Sequence, residues 1–314
     1  MTKGGIMDIK RLYAFARIVD IGSITRAATI LRIAQPALSQ QIAALEAHFG
    51  KPLLLRSKRG VVPTEAGRIL YAHCQQIIKQ MERAELDISR TSEALTGFVS
   101  VTFAPLSLGP TIAVQLMAEV KRDFPGIMLH VNENVGGVIS EQVMTGKTDL
   151  ALIFDPGGLP SLSFETVRTE ELYLVTHDQS FTPSGEGGLD PAKEVRLADA
   201  ITLPMVLPRR IHTVRQVLDT TLARAGLTVQ VVAETESISL LAGAVSEGLG
   251  STILPISAAH AIRRRLPDAR ILRIRKPNMK VNMAICVSGQ LPLSEPAAAV
   301  RDRLRQIAQN IVDE

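Results

Sequence analysis

The sequence predicts an α/β protein: a small helical head with a wing, a long linking helix, and a two-lobed α/β body. Three observations predict it. Between Ser23 and Glu46 one helical pattern stops near Leu31 and another starts near Gln35, so two helices must cross at a short turn. From Leu70 onward, apolar residues recur with alternating gaps of four and three. Beyond Gly97, apolar runs suited to buried strands alternate with helical patterns, as parallel β-α-β units require.

Composition bounds the function. At 314 residues, 46% hydrophobic and 21% charged, the chain is a folded protein of two or three domains. No apolar run reaches the length of a membrane span, and Met1–Ile6 lacks an apolar signal core. A cytoplasmic location with no membrane partner is therefore expected. Met7-Asp8 offers a second start, with the preceding residues as a tail. Cys74 and Cys286 lie far apart and outside any metal spacing, so reduced thiols are expected. Trp is absent and aromatics make up 4%, which argues against base stacking on single strands. Charge is unevenly placed. Met1–Gly97 carries 14 Lys+Arg against 8 Asp+Glu, a net +6, whereas the remainder carries 21 against 23, a net −2. A basic head on a near-neutral body points to a duplex-binding module joined to another function.

The head is read first. Asp8 to Val19 is a helix whose inner stripe is Ile9, Leu12, Phe15, Ala16 and Val19. Ser23 is the N-cap candidate of the next helix, and Ala27 and Ala28 are small enough to let a crossing helix approach. Pro36 suits a first turn, where its missing N–H costs nothing. On the second helix Ala37, Leu38, Ile42 and Leu45 form the expected buried stripe, leaving Gln35, Ser39, Gln40 and Gln41 outward. That face carries no acid before Glu46. Gln pairs bidentately with adenine and Ser serves any base edge, so a recognition helix for the major groove is expected. A solvated helical hairpin is the plainer alternative, but the flanks favour DNA. Pro52–Leu55 leads into Arg56-Ser57-Lys58-Arg59-Gly60-Val61, two short strands around a basic turn. Such a wing lies along the backbone or in the minor groove.

Ser23–Leu31, Ala34-Gln35-Pro36-Ala37-Leu38-Ser39, Leu45-Glu46, Leu54-Leu55-Arg56 and Thr64-Glu65-Ala66-Gly67 together resemble the N-terminal signature of the LysR-type transcriptional regulators. Ile18–Ser23 and Arg56–Val61 look most like the nitrogen assimilation control branch of that family. The expected DNA-contacting set is Thr25, Gln35, Pro36, Ser39, Gln40, Arg56, Lys58, Arg59 and Thr64. The resemblance implies dyad-symmetric promoter DNA as partner, assembly as a homodimer or homotetramer, RNA polymerase as a further partner, and a small-molecule effector.

Thr64 caps a helix that runs without Pro to about Leu95. Leu70, Cys74, Ile77, Met81, Ala84, Ile88, Thr91 and Leu95 form its heptad seam. The simplest partner is the same helix of a second chain, in a rod of roughly 45–50 Å.

In the body, strands are expected at Phe98–Ala104, Ile127–Asn132 and Leu150–Phe154, with helices between. A second set starts near Phe164, with strands at Leu172–Val175, Pro204–Pro208, Val229–Ala233 and Thr252–Ile253-Leu254. Asp178–Asp199 has weak structure signals. Thr213 with Gln216 reads as a capping box, Ser237 as a cap, and Glu295 to Val312 as a final helix. Arg270–Ile274 and Lys280–Val287 are expected to return to the first set. Two lobes joined by two crossings resemble a periplasmic solute-binding protein, which the family resemblance also implies. The expected domains are 7–64 (helix-turn-helix about 24–43), a coiled-coil linker 65–96, and an effector domain 97–314, with lobe I at 97–161 and 272–314 and lobe II at 162–271.

Enzyme chemistry finds no support. No two His residues pair at helical metal spacing. Gly146-Lys147-Thr148 lacks the upstream Gly of a phosphate loop, and Gly248-Leu249-Gly250 is too short for a dinucleotide fingerprint. No catalytic residue, metal or cofactor is expected, and Arg263-Arg264-Arg265 reads as a solvated face. The alternative is a small-molecule-binding protein or enzyme domain with an accessory head. Ligands of parallel sheets bind beyond strand C-termini, near helix N-termini. The expected effector contacts are therefore Pro105, Leu106, Ser107, Asn134, Val135, Arg209 and His212.

Overall fold

A computed structural model describes residues 8–57, 60–89, 95–185 and 188–311. The chain divides into two compact units at residue 91.

The head holds α1 (Ile9–Ile21), α2 (Ile24–Leu31), α3 (Gln35–Phe49), β1 (Leu54–Ser57), β2 (Gly60–Pro63) and α4 (Glu65–Ser89). Asp8 caps α1, accepting from the Lys10 amide at 2.9 Å, and Ser23 caps α2, accepting from the Arg26 amide at 3.4 Å. Ala27 and Ala28 are buried, so α2 and α3 pack closely, and Phe15 is fully enclosed. The inner face of α1 differs from the expected stripe: Ile18 is buried, whereas Ile9 is exposed. On α3, Leu38, Ile42 and Leu45 are buried but Ala37 is exposed. Ala37 lies in the first turn of α3, where Gln35 and Pro36 are exposed as well. α3 extends past residue 43 to Phe49, where Gly50 closes it with a left-handed φ of 64°.

β1 and β2 pair antiparallel, as expected for a wing. Two tight contacts fix it. The Val61 amide donates to the Gly22 carbonyl at 2.9 Å, and a Cβ on Gly60 would meet that oxygen at 2.6 Å. A Cβ on Gly67 would lie 2.0 Å from the Leu53 carbonyl oxygen. The Thr-Glu-Ala-Gly stretch thus starts α4 with a cap at Thr64 and seats it against Leu53, the residue before β1, with a bare Cα at Gly67.

α4 does not present the whole expected seam outward. Leu70 and Cys74 are buried in the core of their own head, with Ile77 and Ile78 packed partly against it. Met81 and Ala84 are exposed. The Ile88 side chain and Thr91 lie outside the described residues. Leu95 is not helical: it precedes β3 and packs on the body core. The linker helix is therefore described only to Ser89 rather than to 96.

The body runs β3 (Gly97–Phe103), α5 (Gly109–Asp123), β4 (Ile127–Glu133), α6 (Gly136–Met144), β5 (Leu150–Phe154), β6 (Leu162–Thr176), β7 (Glu194–Arg196), α7 (Leu197–Ala200), β8 (Met205–Leu207), α8 (Thr213–Ala225), β9 (Val231–Glu234), α9 (Ile238–Ser246), β10 (Thr252–Pro255), α10 (Ile256–Arg263), β11 (Arg270–Arg275), β12 (Lys280–Ser288) and α11 (Glu295–Asn310). In lobe I, β4, β3 and β5 are parallel and β12 adds antiparallel to β5. β6 is one long strand through both lobes. Leu162–Glu171 pairs with β12, and Leu172–Thr176 lies between β10 and β11. The first crossing therefore falls inside β6, later than the 161/162 boundary read from sequence. β11 pairs with β6 and β7, so Arg270–Ile274 stays in lobe II and only Lys280–Ser288 returns. β7 and α7 occupy the stretch that carried weak signals; each is short, so neither shows a period. Gly136-Gly137 opens α6. The capping box is not formed. His212 occupies the α8 N-cap without a side-chain bond, and the Thr213 hydroxyl instead donates to the Phe154 carbonyl at 3.3 Å. Ser237 and Ser294 do cap α9 and α11.

Candidate nucleic-acid interface and ligand cleft

Ala34 gives α3 no side-chain cap, and Pro36 sits in its first turn. Gln35, Pro36 and Gln40 are exposed and Ser39 is half-buried. The Gln35 amide nitrogen donates to the Ser39 hydroxyl at 2.9 Å, which orients both side chains along one face. Glu46 is turned away from that face: its Oε1 accepts from the Leu53 and Leu54 amides at 2.8 and 3.2 Å. The first acid after that polar face therefore anchors the start of the wing. Thr25 is exposed on α2 and Arg56 on β1. Lys58 and Arg59 lie outside the described residues. The Thr64 hydroxyl donates to the Pro52 carbonyl at 2.8 Å and accepts from the Gly67 amide at 2.9 Å, so it serves the α4 cap. Beside α4, Ile9, Tyr13, Leu31, Ile33, Ile78 and Met81 line an apolar groove of about 430 Å³.

Both thiols are free and buried. Burial pushes Cys74 and Cys286 up to about 12, far from the acidity a redox thiol needs.

In the body, a cleft of about 660 Å³ lies between the lobes. It joins the loops after β3 and β4 to the N-terminus of α9 and the C-terminus of α10. Of the expected residues, Pro105, Ser107, Asn134 and Val135 line it. The Ser107 hydroxyl donates to the Ala104 carbonyl at 2.6 Å and accepts from the Gly109 amide at 2.9 Å, which fixes the loop into α5. Leu106 does not line the cleft. It is 2% exposed and packs among Val175, Val206, Leu241 and Leu254 of lobe II. Arg209 and His212 also fall outside the lining. Arg209 is exposed and ion-paired with Glu236, and this partner holds the Glu236 carboxyl below its ordinary range. His212 is buried, with Nε2 3.8 Å from Glu236 Oε1, and burial lowers its pKa. Glu236 follows β9, the strand paired with β8, so the fold sets it beside Arg209 from 27 residues further along the chain.

The cleft's positive charge comes from Arg264 and Arg265, which composition marked as a solvated face. Thr111, Glu133, Thr235, Glu236, Ser237 and Ser239 complete its polar lining. No local signal marks the arginines: they follow the last turn of α10, and only the tertiary fold brings that end beside the loops of lobe I. Among the described residues no group of His, Cys, Asp or Glu side chains could hold a metal ion. No helix there is long and apolar enough to cross a membrane.

Comparison with known proteins agrees with this architecture. Residues 9–68 match the family model of the bacterial regulatory helix-turn-helix protein, lysR family, and residues 100–309 match that of the LysR substrate binding domain. The nitrogen assimilation regulatory protein nac of Escherichia coli (strain K12) is 35% identical over 308 residues, covering 98% of this chain and 97% of that protein. The protein of the same name from Klebsiella aerogenes is 35% identical over 299 residues, 95% of this chain and 94% of its own. Among solved structures, full-length OxyR C199D from Pseudomonas aeruginosa shares the fold with a TM-score of 0.71 at 19% identity, covering 98% of this chain and 99% of that one. Full-length CbnR in complex with its target DNA has a TM-score of 0.52 at 21% identity, covering 96% of this chain and 100% of that one. The chain belongs to the LysR family of bacterial transcriptional regulators, which are DNA-binding proteins and not enzymes.

Proposed function

We propose that this regulator binds dyad-symmetric promoter DNA as a homodimer in the cytoplasm, with α3 in the major groove and the wing on the neighbouring backbone. A small molecule in the interlobe cleft biases its action. A tetramer built from two dimers and contact with RNA polymerase extend the same reading. The observation that carries it is the acid-free outer face of α3, where Gln35 and Ser39 hold each other in register and Gln40 stands exposed. Amide and hydroxyl groups on such a face match base edges, and the exposed Arg56 beside it suits phosphate.

The test starts from a duplex selected out of a randomised pool. Gln40→Ala should lower affinity for that duplex by about 1–3 kcal/mol and leave affinity for a scrambled duplex unchanged. Arg56→Ala should weaken both duplexes alike and flatten the salt dependence by roughly one unit of slope. If Ser39→Ala and Gln40→Ala both keep the wild-type ratio between the two duplexes, α3 is not the reading helix.

A further inference from the structure

The charge of the interlobe cleft is divided by lobe. Lobe I contributes Glu133, which is exposed at the end of β4 and makes no ion pair among the described residues. Lobe II contributes Arg264, also exposed and without an ion pair among the described residues, and Arg265, which donates to the Ala261 carbonyl at 3.1 Å. Glu236, the other acid of the lining, is already held by Arg209. The walls therefore present an unneutralised carboxylate on one side and unneutralised guanidinium groups on the other. Asn134, Ser237 and Ser239 add amide and hydroxyl groups to the lining, which contains no aromatic ring.

This division discriminates among ligands by charge. A simple anion drawn to the arginines faces repulsion from Glu133. A simple cation drawn to Glu133 faces two guanidinium groups. A nucleobase finds no ring to stack on. A molecule carrying both charges a few bonds apart satisfies both walls, and its partners are charge-assisted in a cleft that excludes part of the solvent. We propose that the ligand of this cleft is a small zwitterion of the α-amino acid class. Its carboxylate faces Arg264 and Arg265 beside the start of α9, and its ammonium faces Glu133. This rests on the reading of the body as a small-molecule sensor.

Isothermal calorimetry on the full-length protein tests it, with the twenty L-amino acids as probes, one at a time. For each binder, the deaminated acid and the decarboxylated amine are titrated in parallel. At least one amino acid should bind, and each of its two analogues should bind about tenfold or more weakly. Glu133→Gln and Arg264→Gln should each weaken the amino acid by about tenfold, and Glu133→Gln should strengthen the deaminated acid. Both side chains are exposed, so neither change threatens folding. Three results overturn the proposal: no L-amino acid binds, a deaminated acid binds as tightly as its parent, or both variants bind unchanged. DNA affinity measured on the same preparations separates the two readings. Sequence-specific DNA binding without amino acid binding removes the ligand class alone; absence of specific DNA binding in the wild type removes the regulator reading.

Discussion

Gly67 shows how a single missing Cβ positions the wing. The Leu53 carbonyl oxygen occupies the place a methyl group would take, 2.0 Å from an ideal Cβ. Gly67→Ala must therefore push α4 away from Leu53 at the foot of β1, at about 1–3 kcal/mol. Denaturation of the head, followed by urea titration, should show that loss together with weaker DNA binding; an unchanged midpoint would mean that the strand simply shifts. His212 is a second residue with a defined signature. Burial lowers its pKa below the ordinary 6.5, with Glu236 opposing the shift. As pH falls, the unfolded chain takes up this proton before the folded one. The histidine's share of stability is thus complete above 6.5 and is lost as pH falls from 6.5 through the lower folded value. His212→Gln should flatten the change in urea midpoint between about pH 7 and pH 5.5. An identical slope in the variant would place that pH dependence elsewhere.

At the scale of elements, α4 plays two parts along one stripe. Its first turns close the head core through Leu70 and Cys74, while Met81 stays exposed beside the apolar groove formed with α1. A heptad pattern in sequence does not separate these parts, because both need apolar residues at the same spacing. The structure makes the separation testable. Cys74→Asp buries an unpaired carboxylate inside one head and should unfold it. Met81→Asp leaves the head folded but places a charge where a second copy would pack. Sedimentation should then show loss of head-to-head pairing, and DNA affinity should fall by orders of magnitude because two linked half-site contacts become one. Body contacts can hold chains together, so DNA affinity is the deciding measurement. If Met81→Asp keeps wild-type affinity, this stretch of α4 is not the dimer contact. β6 makes a similar point: an uninterrupted strand of fifteen residues serves two lobes, and its sequence carries no mark where one set of partners replaces the other.

At the scale of the whole body, Leu106 ties the lobes together. It leaves β3 on the lobe I side and is enclosed by lobe II side chains, with the Thr213–Phe154 hydrogen bond as a second tie. Leu106→Ala should cost about 2–5 kcal/mol if the space stays open and should loosen the cleft. The measurement is chemical denaturation of the body alongside ligand calorimetry. A loss below about 1 kcal/mol would mean that lobe II collapses around the gap and that the plug does not set the lobe arrangement.

What the sequence determined by itself is what depends on local spacing. The crossing of α2 and α3, the cap at Ser23, Pro36 in a first turn, the paired wing strands, and the alternation of strands and helices in lobe I all follow from short-range patterns that leave the chain few choices. The polar face of α3 was legible for the same reason, since helical periodicity assigns faces directly. What only the tertiary structure decided depends on which distant groups meet. Leu106 became a plug because lobe II offered it a core. Arg209 was taken up by an ion pair with Glu236, an acid of the cleft lining, and Arg264 and Arg265 were carried into the cleft by the packing of α10. Leu70 and Cys74 were taken from the presumed seam by their own head. In each case the residue's chemistry was visible, but its partner lay far along the chain or on another element, and burial and charge pairing act through space rather than along the sequence.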